Sequence, residues 1–137
     1  MTAEQRASYT VLVVDDDPSV LATYRRLLRR AGYDTVAEQD PRRVLDEGIA
    51  ERGVHLMLVD YRMPGMDGLT LLAELRRREC RCRVVLISAY LNDEVRCQAE
   101  NLGVARVLEK PVDVRALRRT IEELLPLGGE PLAGIAG

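Results

Sequence analysis

The chain is poor in lysine and in histidine. Of its 20 basic residues, all but Lys110 are arginine, and Lys110 lies just after an apolar run. Arginine carries a planar fork, whereas lysine is a compact point charge on a flexible stem that can reach a single phosphate or carboxylate oxygen. Lys110 is therefore the first candidate for a chemical role. The only histidine, His55, opens a predicted strand, where we expect a structural role.

Other scarcities each exclude a class of protein. The three cysteines, Cys80, Cys82 and Cys97, form no paired spacing, and no nearby histidine or fourth thiol completes a soft-metal site, so free thiols are expected. Apolar runs are far shorter than the ~20 residues of a membrane span. The polar N terminus lacks the apolar stretch of a secretory signal, which favours a cytoplasmic protein. The net charge of -2 excludes a globally basic nucleic-acid surface.

The composition that remains is ordinary for one globular domain. The chain has 137 residues, of which 47% are hydrophobic and 31% are charged. We predict a folded domain over residues 10–125, preceded by an N-terminal extension over residues 1–9. Glycine and proline punctuate residues 126–137, a composition typical of a flexible tail or linker.

Short apolar runs alternate five times with longer segments of helical period. This alternation predicts an α/β fold, a doubly wound five-stranded parallel sheet in (βα)5 order. The second strand is the most polar and is expected at an edge of the sheet. Helix starts are marked by the capping residues Asp17, Asp40, Asn92 and Asp113. The predicted strands are 10–14, 34–38, 55–59, 83–87 and 105–108, and the predicted helices are 18–31, 41–52, 68–78, 92–102 and 113–125.

Polar side chains follow four of the five predicted strands. The first strand ends in Asp15 and Asp16, the third in Asp60 and the fourth in Ser88, while Lys110 follows the fifth. Ligand sites of open parallel sheets form at the carboxyl ends of the strands. Right-handed crossovers place strands one, three and four or five side by side. Three carboxylates, a hydroxyl and an ammonium would then share one pocket.

Crowded carboxylates raise one another's pKa, so this cluster makes sense mainly if a cation joins it. Oxygen ligands without histidine or cysteine indicate a hard ion such as Mg²⁺. Asp15 and Asp16 cannot both point the same way from one strand end, so one would bind the metal directly and the other through water. Aspartates at such turns are often only helix caps, and Asp17 is better explained as one.

Four short motifs occur in order along the chain. They read VLVVDDDP at 11–18, LVDYRMPGMDG at 58–68, LISA at 86–89 and LEKP at 108–111. With these motifs the chain resembles the receiver domain of two-component response regulators over nearly all of its predicted folded part. The resemblance implies a flavodoxin-like receiver fold and a phosphorylated signalling domain that modifies itself but is not a turnover enzyme.

The resemblance also implies the roles of the acidic residues. Asp60 would be the phosphoacceptor, supplied by a sensor histidine kinase or a phosphotransfer protein. Asp16 and Asp60 would coordinate Mg²⁺ together with the backbone carbonyl of Arg62, and Asp15 would act through a bound water. The Arg62 side chain would lie beside the phosphoryl group.

Further roles concern the hydroxyl and the cation. Ser88 would hydrogen-bond the attached phosphoryl group, and Lys110 would pair with a carboxylate at rest and with a phosphoryl oxygen after transfer. The bond before Pro111 is usually cis in the family, which predicts a cis Lys110–Pro111 peptide. The chain departs from the family at Val107, where an aromatic residue usually responds to the hydroxyl. Tyr90, two residues after Ser88, is an alternative sensor.

The resemblance implies an output face made by the fourth helix, the fifth strand and the fifth helix, which would contact a downstream protein, a fused output domain or a second copy in a homodimer. Its basic residues would be Arg96, Arg106, Arg115, Arg118 and Arg119. No helix-turn-helix fits after residue 125, so direct DNA binding is not expected. The linker-like tail favours a receiver portion of a longer protein over a stand-alone receiver.

Two other classes of protein share part of this pattern. A haloacid-dehalogenase-type phosphatase also uses a strand-end aspartate and Mg²⁺, and it carries an Asp-x-Asp motif at the nucleophile. In this chain the second acid of that motif is missing, because Arg62 stands two positions after Asp60. A flavodoxin-like electron carrier would share the fold, but three aspartates follow the first strand and would repel a flavin phosphate.

Overall fold

The computed structural model describes residues 1–125, and the predicted tail lies outside the described residues. Five parallel strands form one sheet in the order β2-β1-β3-β4-β5. The strands are β1 (Thr10–Val14), β2 (Asp34–Glu38), β3 (Leu56–Asp60), β4 (Arg83–Ser88) and β5 (Arg106–Glu109). The helices are α1 (Ala3–Arg6), α2 (Pro18–Arg30), α3 (Pro41–Asp46), α4 (Gly68–Arg77), α5 (Asp93–Asn101) and α6 (Val114–Leu124). The predicted doubly wound α/β fold is confirmed.

Alternating side chains of the central strands pack on opposite faces of the sheet. Val11 and Val13 of β1 belong to a buried cluster with residues of α2 and α6, whereas Leu12 and Val14 belong to a second cluster with residues of α3 and α4. This period of two follows from the pleat of a strand. Because both faces are covered, β1, β3 and β4 are apolar almost throughout, and the more polar β2 lies at an edge as predicted.

Side-chain caps begin the helices where the sequence predicts them. The carboxylate of Asp17 accepts a hydrogen bond of 2.9 Å from the backbone N–H of Ser19, and Asp40, Asn92 and Asp113 cap α3, α5 and α6 in the same manner. Asp67 is a further cap that we did not predict, and it starts α4. These caps fix the loops that follow the strands, where the polar residues are gathered.

Two elements differ from the sequence prediction. The predicted helix over 41–52 is wrong beyond Asp46, because Gly48 has φ of 60° and breaks the helix before a short 3₁₀ turn at Ile49–Glu51. The N-terminal extension contains the unpredicted helix α1, so the fourth and fifth predicted helices are α5 and α6. Within residues 1–125, no helix has both the length and the apolar character that a membrane crossing requires.

Candidate functional site

The polar residues predicted to meet do so at the carboxyl edge of the sheet. Asp15 directly follows β1, Asp60 ends β3 and Ser88 ends β4, and these three strands are neighbours. All three side chains are buried in a core that is otherwise almost wholly apolar. Burial of carboxylates is unfavourable unless a compensating charge or hydrogen bond is present. The burial of these polar side chains therefore indicates a functional site, because it is not needed to form the sheet.

Lys110 supplies a compensating charge from the edge strand. Its Nζ lies 3.0 Å from Oδ1 of Asp60 and 3.8 Å from Oδ2 of Asp15. The backbone N–H of Lys110 donates to the carbonyl of Ser88 at 2.8 Å, which ties the loop after β5 to the end of β4. The peptide between Lys110 and Pro111 is cis, as predicted. The one lysine of the chain is thus in contact with two buried acids.

Three acids form a cluster suited to a hard cation. Asp15, Asp16 and Asp60 each present a carboxylate oxygen, and these oxygens all lie within 4.8 Å of one another. Asp15 and Asp60 are buried, whereas Asp16 is exposed. Three carboxylates face a single ammonium, so the cluster retains excess negative charge. Oxygen donors with that charge match the preference of Mg²⁺, and the residues fit the ion that the sequence predicts.

The pKa shifts of the site residues also indicate an excess of negative charge. Burial raises the pKa of Asp15 to about 6, and the nearby Asp60 carboxylate adds to this, while the hydrogen bond from the Asp17 N–H and the Lys110 charge oppose it. Burial also raises the pKa of Asp60. Burial lowers the pKa of Lys110, but its contacts with Asp60 and Asp15 outweigh this effect and leave that pKa raised. Lys110 therefore stays charged but does not fully offset the acids.

Gly68 is a site residue that sequence reasoning missed. A Cβ atom at this position would lie 2.6 Å from the backbone carbonyl oxygen of Asp60 and 2.9 Å from Cγ1 of Val59. The Gly68 N–H also donates to the Tyr61 carbonyl at 2.7 Å. Helix α4 can therefore begin against the end of β3 only because residue 68 has no side chain. The available signal was a glycine directly after a capping aspartate, next to the strand that carries Asp60.

Ser88 is engaged in its own loop. Its hydroxyl donates to the carbonyl of Tyr90 at 2.8 Å and accepts from the N–H of Tyr90 at 3.1 Å. The Tyr90 ring is largely exposed, and the guanidinium carbon of Arg62 lies 5.5 Å from the centre of this ring. The side chain of Arg62 thus stacks on Tyr90. That its backbone carbonyl serves as a metal ligand stays a prediction.

Two other predicted positions lie apart from the acids. Val107 pairs with Leu86 across the sheet and packs on a small apolar cluster that includes Leu69 and Val95, and Tyr61 packs on the same cluster. His55 lies before β3, at the amino edge of the sheet, where its Nδ1 accepts a hydrogen bond of 3.0 Å from the N–H of Thr10. This contact is structural.

The fold and the acidic edge together define a class of protein, a flavodoxin-like α/β domain of receiver architecture. Comparison with known proteins agrees with this class. The model of the response regulator receiver domain family matches residues 11–122. The chain belongs to this family. That membership favours the receiver over the phosphatase and the electron carrier.

Individual relatives differ in how much of them the chain matches. It is 35% identical over 115 residues to the transcriptional regulatory protein ZraR of Escherichia coli O157:H7, which covers 84% of the chain and 26% of ZraR. It is 28% identical over 117 residues to the sporulation initiation phosphotransferase F of Bacillus subtilis, which covers 85% of the chain and 94% of that protein. The chain thus spans about a quarter of the first relative and nearly all of the second.

A solved structure supports the same assignment. A CheY-like receiver domain protein from Methanospirillum hungatei JF-1 superposes with a TM-score of 0.78 at 26% identity. The match covers 84% of this chain and 91% of that one. The receiver fold predicted from the four motifs is confirmed.

Proposed function

We propose that Asp60 accepts a phosphoryl group from a histidine kinase or a phosphotransfer protein, and that this modification is the signal the domain carries. One observation supports the proposal above all others, the 3.0 Å contact between Lys110 Nζ and Asp60 Oδ1 beside two further carboxylates. A buried carboxylate that contacts one cation in an acidic pocket is suited to act as a nucleophile toward a phosphoryl group. A structural ion pair would not need the other two acids.

The proposed phosphoryl transfer depends mainly on the positions of the site residues. An oxygen of Asp60 attacks phosphorus in line, the new O–P bond forms, and the bond from phosphorus to the imidazole nitrogen of the donor breaks. Lys110 transfers its contact from Asp60 to a phosphoryl oxygen, where its point charge offsets the added negative charge. Ser88 turns its hydroxyl from Tyr90 to another phosphoryl oxygen.

The proposed metal site uses residues already placed. Asp16, Asp60 and the backbone carbonyl of Arg62 would hold Mg²⁺, and Asp15 would contribute through water. When bound, Mg²⁺ supplies positive charge that lowers the repulsion between the carboxylates and the incoming phosphoryl oxygens. In this arrangement Asp15 also orients the loop, because its Oδ1 accepts the N–H of Asp17 at 2.9 Å.

The domain would act through protein contacts and not as a turnover enzyme. We propose residues 10–125 as the receiver unit, in a cytoplasmic setting, with α5, β5 and α6 as the face that meets a downstream protein, a fused output domain or a second copy. On this face Arg106 pairs with Glu123 at 3.0 Å and Arg118 with Glu122 at 3.3 Å. These pairs reduce the basic character of the face. We propose no direct contact with nucleic acid.

The test is uptake of a phosphoryl group. Wild type and Asp60→Asn are incubated with acetyl phosphate and Mg²⁺ and analysed by intact mass, with circular dichroism as a control for folding. We expect one phosphoryl group on wild type, none on the variant, and loss of uptake in excess EDTA. Absence of uptake by folded wild type, with beryllofluoride also failing to bind, would refute the proposal.

A further inference from the structure

Two thiols meet at the end of the sheet opposite the acidic pocket. Cys80 and Cys82 lie in the segment between α4 and β4, and their Sγ atoms are 3.9 Å apart. Cys80 is partly exposed, and Cys82 is buried. The thiol of Cys80 also lies 3.7 Å from the carbonyl of Ala50. The acidic pocket and its proposed phosphorylation make no use of this pair.

Arg76 holds the two cysteines in this arrangement. Its Nη1 lies 2.9 Å from the carbonyl oxygen of Cys80 and 3.0 Å from that of Cys82, and donates to both. In an extended strand, residues two apart are separated by about 6.6 Å. Here the carbonyls of Cys80 and Cys82 both contact one nitrogen, which holds the two residues closer together than a fully extended strand would. Glu79, with φ of 64°, turns the chain between the end of α4 and this segment.

We propose that Cys80 and Cys82 form a reversible dithiol–disulfide site that is oxidised by a peroxide. The sulfur of Cys80 attacks one peroxide oxygen, the O–O bond breaks, and the departing oxygen takes a proton and leaves as water. Cys80 is then a sulfenic acid. The sulfur of Cys82 attacks that of Cys80, and the sulfenic hydroxyl leaves as a second water with the Cys82 proton. In total, two thiols lose two electrons and two protons, and the peroxide is reduced to two waters.

The surroundings of the two thiols give each of them a different role in the proposed oxidation. Cys80 is the more exposed sulfur and is the one that a peroxide reaches. Burial raises the pKa of Cys82 to about 12, and the neighbouring Cys80 thiol adds to the effect. Cys82 is therefore held as a thiol at first, and it attacks the sulfur of the sulfenic acid as its proton passes to the leaving hydroxyl. The third cysteine, Cys97, is exposed on α5 and has no such arrangement.

Closure of the disulfide would reach beyond the two cysteines. Arg76 first brings the two residues together, and the Sγ atoms then approach from 3.9 Å to about 2.05 Å. The closed bond would then displace the carbonyls that Arg76 holds. The same guanidinium donates through Nε to the carbonyl of Leu102 at 2.9 Å, directly after α5. Oxidation would therefore loosen the anchoring of the α5 C terminus. Helix α5 belongs to the proposed output face.

The test follows thiols in the full chain. Reduced protein is treated with hydrogen peroxide, quenched with N-ethylmaleimide in denaturant so that buried thiols also react, and analysed by intact mass and peptide mapping. We expect the three maleimide adducts of the reduced protein to fall to one, on Cys97, with a Cys80–Cys82 disulfide that dithiothreitol reverses. Three adducts after peroxide treatment, or a sulfinic acid on Cys80 with Cys82 still free, would overturn the proposal.

Matched variants separate this site from its surroundings. Cys97→Ser should form the disulfide at the wild-type rate, whereas Cys80→Ser, which changes a partly exposed residue, should not form it. Arg76→Lys cannot hold the carbonyls together, so closure should slow about tenfold while alkylation of Cys80 by iodoacetamide keeps its rate. An unchanged closure rate would remove Arg76 from the proposal. Asp60→Asn should still form the disulfide, which makes this result independent of phosphorylation.

Discussion

The Ser88 hydroxyl donates a 2.8 Å hydrogen bond to the backbone carbonyl of Tyr90. The group that would contact a phosphoryl oxygen therefore already closes the turn that carries Tyr90, and the Tyr90 ring rests beside the Arg62 guanidinium. Val107 has a single stiff torsion and no ring to relocate. Transmission from the site would thus start in the loop after β4 and not at residue 107.

This relationship is tested with a fluorescent ring. The chain has no tryptophan, so Tyr90→Trp introduces a single reporter. We expect beryllofluoride with Mg²⁺ to change its emission, because Ser88 releases the turn when it meets the phosphoryl analogue. In the same background, Ser88→Ala removes both bonds, and the change should disappear while the analogue still binds. An equal spectral change in both proteins would show that Ser88 does not control the loop.

Lys110→Arg tests whether the shape of the cation matters. Arginine keeps the charge, but its planar fork cannot place one nitrogen at the same point between Asp60 and Asp15. We expect phosphorylation by acetyl phosphate to slow about tenfold or more, with thermal stability nearly unchanged. Arg115→Lys, an exchange on the exposed start of α6, is the matched control and should keep the wild-type rate. Equal rates for Lys110→Arg and wild type would contradict the assigned role of Lys110.

Asp15→Asn tests the excess charge through pH. Because the folded state raises the pKa of Asp15 from 3.8 to about 6, ionisation of this carboxyl destabilises the fold progressively as the pH rises through that range and fully above it. In EDTA, the variant should gain about 3 kcal/mol of unfolding free energy at pH 7.5 and only about 1 kcal/mol at pH 4.5. Urea denaturation at both pH values measures this difference. A gain that does not depend on pH would indicate packing and not charge.

Gly68→Ala tests the close approach of α4 to β3. Its Cβ would meet the Asp60 carbonyl oxygen at 2.6 Å, so the backbone must shift at the strand that carries the proposed phosphoacceptor. We expect a loss of about 1–3 kcal/mol in stability and slower phosphorylation. Thr70→Ala, on the exposed side of the same helix, should have little effect on either. Wild-type stability and phosphorylation rate in Gly68→Ala would show that the loop accommodates a Cβ atom without loss of stability.

The sequence predicted the sheet and the joint position of the acids because these depend on regular signals. Apolar runs covered on both faces, caps before helices and polar residues after strands each follow a simple rule of spacing. Gly68 escaped such reasoning because its role depends on a contact with the backbone of another element. The 3₁₀ turn after α3 depended on the left-handed conformation of Gly48, which periodicity does not encode.

The strand order has a consequence for how firmly each charge is held. The acids lie at the carboxyl ends of β1 and β3, which are inside the sheet and almost wholly buried. Lys110 follows β5, a four-residue edge strand with no fully buried residue. Edge elements with little buried surface open most readily. The negative charges are therefore carried by the stable central strands, and the positive charge is carried by the less stable edge of the sheet. A displacement of β5 would therefore move the lysine charge away from Asp60 and Asp15 while the backbone that carries the two acids stays in place.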